Sequence, residues 1–206
     1  MAQRLPAGPW HGAAAMTLVL WGVAELALRL RLAARPGWRA RLRDWSAIAG
    51  GRLREWTFFL LVLGITAAVI GALWLARLTQ FATGGGRALV AFGEIVAVAG
   101  IALRIWAILT LDRFFTFVVG IADDHRVVQH GPYRVLRHPG YAGALLALAG
   151  AGFALGNWLS LVLIVVAPAL MLGARIRVEE TALAAALGSE YQSYASRTAR
   201  MIPGVW

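Results

Sequence analysis

The sequence predicts an all-α, polytopic membrane protein with about five transmembrane helices and a cytoplasm-facing pocket built from its C-terminal half. Three observations lead there. Of the 206 residues 60% are hydrophobic, against roughly half in a soluble domain, so lipid is the solvent for this chain. Five runs approach the roughly 20 apolar residues that a spanning helix needs, at 12–28, 56–76, 88–111, 141–156 and 159–174. The arginines alternate between connections: eight in 29–54, then Arg77 and Arg87, then Arg113, Arg126, Arg134 and Arg137, none at the tip of the last pair, and Arg175, Arg177, Arg197 and Arg200 in the tail. Short cytoplasmic loops accumulate positive charge, which puts the N-terminus outside and the C-terminus in the cytoplasm.

The first span follows a stretch with a single arginine and no small-residue cleavage signal. It continues too far for a signal peptide and is kept as a span. Glu25 falls near its cytoplasmic end, where it is expected to reach water. The second and third spans are joined by an outer loop whose 84–86 glycines read as a flexible turn. Glu94 and Arg104 lie inside the third span, where charge is expensive. Ten residues put them on different faces about 15 Å apart, so each is expected to find its partner on another span. Asn157 and Trp158 alone separate the last two runs. Those runs should form an antiparallel hairpin with both outer ends on one membrane face. Beyond it the helical pattern runs through 175–187, stops at Gly188, and resumes weakly to Arg200 before Pro203. Trp10, Trp38, Trp56 and Trp158 sit near predicted span ends, as an interfacial belt requires.

The absence of cysteine excludes disulfides, thiolate metal sites and a catalytic cysteine, and no metal is expected. The net charge of +10 is carried by arginine without lysine, read as the codon bias of a GC-rich genome. With spans of this length, anionic headgroups rather than nucleic acid are the expected counter-charge.

Chemistry concentrates at two places. Between Asp123 and Tyr141 the chain reads D-D-H-R-V-V-Q-H-G-P-Y-R-V-L-R-H-P-G-Y, unusually rich in polar and aromatic groups for a membrane border. Gly131 and Pro132 make a turn, residues 133–137 can form a helical turn, and Pro139 suits the first position of the next span. The free N–H groups at that helix start can accept a carboxylate. The second patch, A-R-I-R-V-E-E at 174–180, sets Arg175 and Glu179 four apart on one helix face, with Glu180 on an adjoining one. The hairpin returns this patch to the His138 region, giving a pocket of aromatics, histidine, arginines and carboxylates.

The R-H-P-x-Y-x-G motif, the R-x-x-x-E-E motif and the closing G-x-E-Y-x-x-Y…I-P, in that order, resemble the isoprenylcysteine carboxyl methyltransferases and their phospholipid N-methyltransferase relatives. The resemblance covers about the last 90 residues. It implies S-adenosylmethionine as methyl donor, bound by His125, Arg126, Val127, Val128, Tyr133, His138, Pro139, Gly140, Tyr141 and Glu179. Arg175 would face a lipophilic acceptor, and Glu180 is the candidate base for an amine acceptor. Residues 1–111 then form a three-span membrane region and 112–206 the catalytic region, in what reads as a bacterial inner membrane. The acceptor implied is an isoprenylcysteine-type carboxylate. A phospholipid amine and a nicotinamide-dependent reductase are the enzymatic alternatives, and a non-enzymatic lipid-binding protein is the third class. Plainer roles stand beside these: His138 as a helix cap, Arg175 reaching to the interface, Tyr133 and Tyr141 as belt residues, and Tyr191 and Tyr194 packing the tail helix.

Overall fold

The structure, a computed structural model, describes residues 10–33, 52–78, 86–115 and 126–204. Five helices fall on the five predicted spans: α1 (Trp10–Ala33), α2 (Arg52–Leu78), α3 (Gly86–Leu111), α4 (Pro139–Ala154) and α5 (Trp158–Ala195). Leu60–Leu78, Gly86–Leu111 and Trp158–Ala195 are long and apolar enough to cross a membrane, while Met16–Leu28 and Pro139–Ala154 are shorter apolar helices. Large side chains such as Leu20, Leu63, Trp74, Ile95 and Leu170 face outward, as a lipid surround requires. This is an integral membrane protein. Its core is a cluster of Ala72, Leu148, Ala151, Ala154, Leu155 and Ile164 between α2, α4 and α5.

Between apolar helices in lipid, close backbone packing replaces the hydrophobic effect, so interfaces favour small residues. The α3–α4 seam is built this way. Gly93, Ala97 and Gly100 on α3 face Gly143, Ala147 and Gly150 on α4, and all six are buried. A methyl placed on Gly100 would stand 2.4 Å from the Ala147 nitrogen, and one on Gly150 2.3 Å from the Ala97 nitrogen. No larger residue fits while the helices stay at this distance.

The predicted hairpin is present. Leu155 caps α4, Gly156 takes φ +64, and Asn157 starts α5 by accepting the Ser160 N–H at 3.0 Å. The buried Ser160 hydroxyl donates to the Ala72 carbonyl at 2.7 Å, tying the hairpin to α2. Before Gly188, residues 158–187 of α5 run about 45 Å at 1.5 Å per residue, against roughly 30 Å of hydrocarbon. Its second half therefore projects beyond the apolar layer. At Gly188, where the sequence predicts a stop, the backbone leaves the helical region (φ 54, ψ −128) and the helix resumes in a new direction. The tail then folds back on the segment before α4: the N–H groups of Arg137 and His138 donate to the carbonyls of Ala199 and Arg200 at 2.8 and 2.9 Å, and Ala199 N–H to Val135 O at 3.0 Å.

The intramembrane charges are paired across helices, as expected for Glu94 and Arg104. The Thr17 hydroxyl of α1 donates to Glu94. Arg104 pairs with Glu25 through Nε, and through Nη2 at 3.2 Å. This corrects the expectation that Glu25 reaches water: its side chain is only 14% exposed, because the guanidinium and the Trp21 indole (3.2 Å) enclose it.

Candidate functional site

Arg104 also donates from Nη1 to the Gly140 carbonyl at 3.0 Å, so the α1–α3 ion pair touches the start of α4. Around that junction lies a cavity of about 480 Å³. Its size suits a small organic ligand. Its lining from α1 and α2 includes the apolar Leu18, Trp21, Leu61, Ile65 and Val69. Its polar wall is made by His138, Tyr141, Arg175 and Glu179, beside Val127 and Val128.

The polar end follows from the hairpin. Pro139 occupies the first turn of α4, which needs no N–H at that position, and His138 precedes it without capping the helix through its side chain. The His138 ring is 7% exposed, stacks on Tyr141 at 5.7 Å between centroids, and lies 3.8 Å from Glu179 and 3.5 Å from Glu180. Arg175 is 5% exposed and donates from Nε to the Tyr141 hydroxyl at 2.7 Å. It is therefore buried in the site and does not reach out to the interface. Tyr133 donates to the Ala107 carbonyl at 3.4 Å. Burial first, and the Glu179 carboxylate second, push its hydroxyl well above the usual phenol range, so Tyr133 is a neutral donor. Glu179 Oε2, buried in this wall, makes no hydrogen bond among the described residues; His138 Nδ1 stands 3.8 Å from it, while His138 Nε2 faces Glu180 at 3.5 Å.

Of the residues singled out from the sequence, Arg126, Val127, Val128, Tyr133, His138, Gly140, Tyr141, Arg175 and Glu179 line the cavity. His125 lies outside the described residues. Pro139 is buried and serves the helix start rather than the cavity wall. Glu180 stands behind His138: its two oxygens accept from Arg137 Nε and Arg200 Nε, each at 2.8 Å, and it does not line the cavity. Arg137 Nη1 further donates to the Thr198 carbonyl at 2.8 Å, and the Tyr194 hydroxyl to the Tyr133 carbonyl at 2.9 Å. Glu180 is thus a strap between the loop and the tail.

Sequence reasoning left out Glu25 and Arg104 as cavity residues, although an intramembrane charge is itself a signal. It also left out Leu183, Leu187 and Tyr191. Steps of four from Glu179 were the available sign for Leu183 and Leu187, whereas Tyr191 lies beyond the break at Gly188.

A sequence model of the isoprenylcysteine carboxyl methyltransferase (ICMT) family matches residues 92–185. A probable protein-S-isoprenylcysteine O-methyltransferase of Oryza sativa subsp. japonica is 35% identical over 113 residues, 54% of this chain and 59% of the relative. Protein-S-isoprenylcysteine O-methyltransferase A of Arabidopsis thaliana is 36% identical over 116 residues, 55% and 59% of the two chains. The chain thus spans about three fifths of the length of these two curated relatives. In fold it resembles a solved structure of the eukaryotic intramembrane Ras methyltransferase ICMT, with a TM-score of 0.67 and 22% identity over 98% of this chain and 70% of the other. The matched segment 92–185 contains α4, the hairpin turn and the R-x-x-x-E-E patch that together form the polar wall, so the likeness to the isoprenylcysteine carboxyl methyltransferase family falls on the site itself.

Proposed function

We propose that this protein is an S-adenosylmethionine-dependent methyltransferase whose acceptor is a lipophilic carboxylate of the isoprenylcysteine type. One observation carries the proposal: a single cavity joins a polar wall of His138, Tyr141, Arg175 and Glu179 to apolar side chains of α1 and α2. A hydrophilic donor and a greasy acceptor need such a shared chamber. Names of relatives, among them protein-S-isoprenylcysteine O-methyltransferase A, support the same reading.

The residues present fit the donor. Glu179 Oε2 is buried with no hydrogen bond among the described residues, and a buried carboxylate oxygen left so costs stability unless a ligand cation meets it. The donor's ammonium group is such a cation. The His138 ring, in the same wall, would stand beside its carboxylate. Residues 126–128 line the cavity, where their amide groups would face a purine edge. When bound, S-adenosylmethionine supplies an electrophilic methyl on a sulfonium and leaves as a neutral thioether.

The chain's own task is alignment and exclusion of water. Arg175, fixed by Tyr141 at 2.7 Å, would orient an acceptor carboxylate, which is already a nucleophile and needs no base. An amine acceptor would have to lose a proton. Glu180, the candidate for that role, is held by two guanidinium groups away from the cavity. This favours the carboxylate over a phospholipid amine. The pocket would open to the cytoplasmic side, where the arginine-rich connections lie, and the acceptor would arrive from the lipid.

The test is calorimetric titration of the detergent-purified protein with S-adenosylmethionine, beside Glu179→Gln and a reduced nicotinamide nucleotide. Saturable binding that the substitution weakens about tenfold, the scale of one charge-assisted hydrogen bond, supports the donor. Binding of the nicotinamide nucleotide and not of S-adenosylmethionine would replace this reading with a reductase.

A further inference from the structure

The geometry points to a role for Tyr191 beyond packing: we infer that its hydroxyl is a ligand contact, completing the subsite for the α-amino-acid end of the donor. This rests on the donor proposed above. Tyr191 lies beyond the matched segment 92–185. Its residue exposure is 5%, it lines the cavity, and its hydroxyl oxygen is buried with no hydrogen-bond partner among the described residues.

A buried hydroxyl without a partner is destabilising by about 1–3 kcal/mol, and the great majority of such groups in folded proteins are satisfied. A tyrosine whose only task was to fill space would be served as well by phenylalanine. The hydroxyl is therefore assigned to something that enters the cavity. Glu179 Oε2, also buried on this wall without a hydrogen bond among the described residues, calls for an ammonium, while the Tyr191 hydroxyl can donate to an acceptor, so what enters is a group offering both. An α-amino acid is such a group.

Position supports this. Along a straight helix Tyr191, twelve residues past Glu179, would stand about 18 Å from it, outside the cavity. The kink at Gly188 (φ 54, ψ −128) redirects the chain, and Tyr191 lines the cavity. Only glycine adopts such a backbone without strain. Tyr194, one turn on, donates to the Tyr133 carbonyl at 2.9 Å, and Tyr191 packs on it at 6.1 Å between ring centroids. The Arg200–Glu180–Arg137 ion pairs lock the returning tail to the loop that carries His138. Gly188 redirects the chain, the strap holds it, and the hydroxyl of Tyr191 is delivered to the polar wall.

The experiment is Tyr191→Phe, which deletes one oxygen and no packing. Two probes are titrated into the detergent-purified full chain: S-adenosylhomocysteine, which carries the amino-acid end, and 5′-methylthioadenosine, which lacks it. Thermal unfolding is followed on the same samples without ligand. The expected result is about tenfold weaker binding of S-adenosylhomocysteine, unchanged binding of methylthioadenosine, and an unfolding temperature equal to or above wild type. A structural role would instead lower the unfolding temperature or weaken both probes alike, and either outcome overturns the inference. Wild-type affinity for S-adenosylhomocysteine in the variant, with Glu179→Gln still impaired, overturns the Tyr191 contact and leaves the donor reading standing. Failure of the wild type to bind S-adenosylhomocysteine removes both.

Discussion

Replacing Gly150 by alanine adds one methyl to the α3–α4 seam, and the structure sets its consequence. The new Cβ would lie 2.3 Å from the Ala97 nitrogen, 2.5 Å from the Gly93 oxygen and 2.8 Å from the Ala97 Cα. Ordinary contact begins at 3.4 Å, so the helices must part by about 1 Å, and the obstruction is backbone that no rotamer change can move. Overpacking of a filled interface costs about 1–3 kcal/mol, and rigid neighbours put this case at the upper end. For a chain of this size each kcal/mol lowers the unfolding temperature by about 2–4 °C, so a fall of roughly 4–10 °C is expected. The effect should reach the site, because α4 carries Gly140 and Tyr141, whose partners Arg104 and Arg175 stand at 3.0 and 2.7 Å. The assay is thermal unfolding of detergent-purified protein followed by tryptophan fluorescence. Gly22→Ala is the stability control, since a methyl there meets nothing within 4 Å and a helical glycine gains about 0.5–1 kcal/mol on becoming alanine. Equal unfolding temperatures for the two variants would refute the close-packing argument.

Two further outcomes follow from the charges. Glu25→Leu removes the carboxylate partner of Arg104, whose side chain is 13% exposed. Breaking a buried pair costs about 3–5 kcal/mol. Adding Arg104→Met should recover part of that loss in the same unfolding assay, and a double variant no more stable than Glu25→Leu would contradict the pairing. Arg175→Ala should leave S-adenosylmethionine binding within about twofold of wild type by calorimetry while suppressing methyl transfer to a prenylated carboxylate acceptor by at least about tenfold, the scale of one lost charged hydrogen bond. Full turnover in that variant would withdraw its role.

Much of this protein was legible in sequence because its solvent is lipid. Backbone groups in hydrocarbon must be satisfied within the helix, so apolar length alone located five helices, and Asn157 with its short break located the hairpin. Closing that hairpin brings the R-H-P and R-x-x-x-E-E patches to one face, which is why His138, Tyr141, Arg175 and Glu179 could be grouped before any distance was known. Gly188 was readable as an interruption because its conformational freedom is a property of the residue itself.

What tertiary structure decided depends on which atoms meet, and sequence spacing does not carry that. Glu25 and Arg104 are 79 positions apart, and only the approach of α1 to α3 turns an apparently hydrated carboxylate into half of a buried pair. Glu179 and Glu180 are adjacent and chemically identical. One faces the cavity and the other is consumed by Arg137 and Arg200, because a helix rotates about 100° per residue and the returning tail covers only one of the two faces. The direction taken after Gly188 was likewise invisible. A glycine permits a change of direction, but the hydrogen bonds from residues 194–200 to the loop before α4 select it, and with it the position of the Tyr191 hydroxyl.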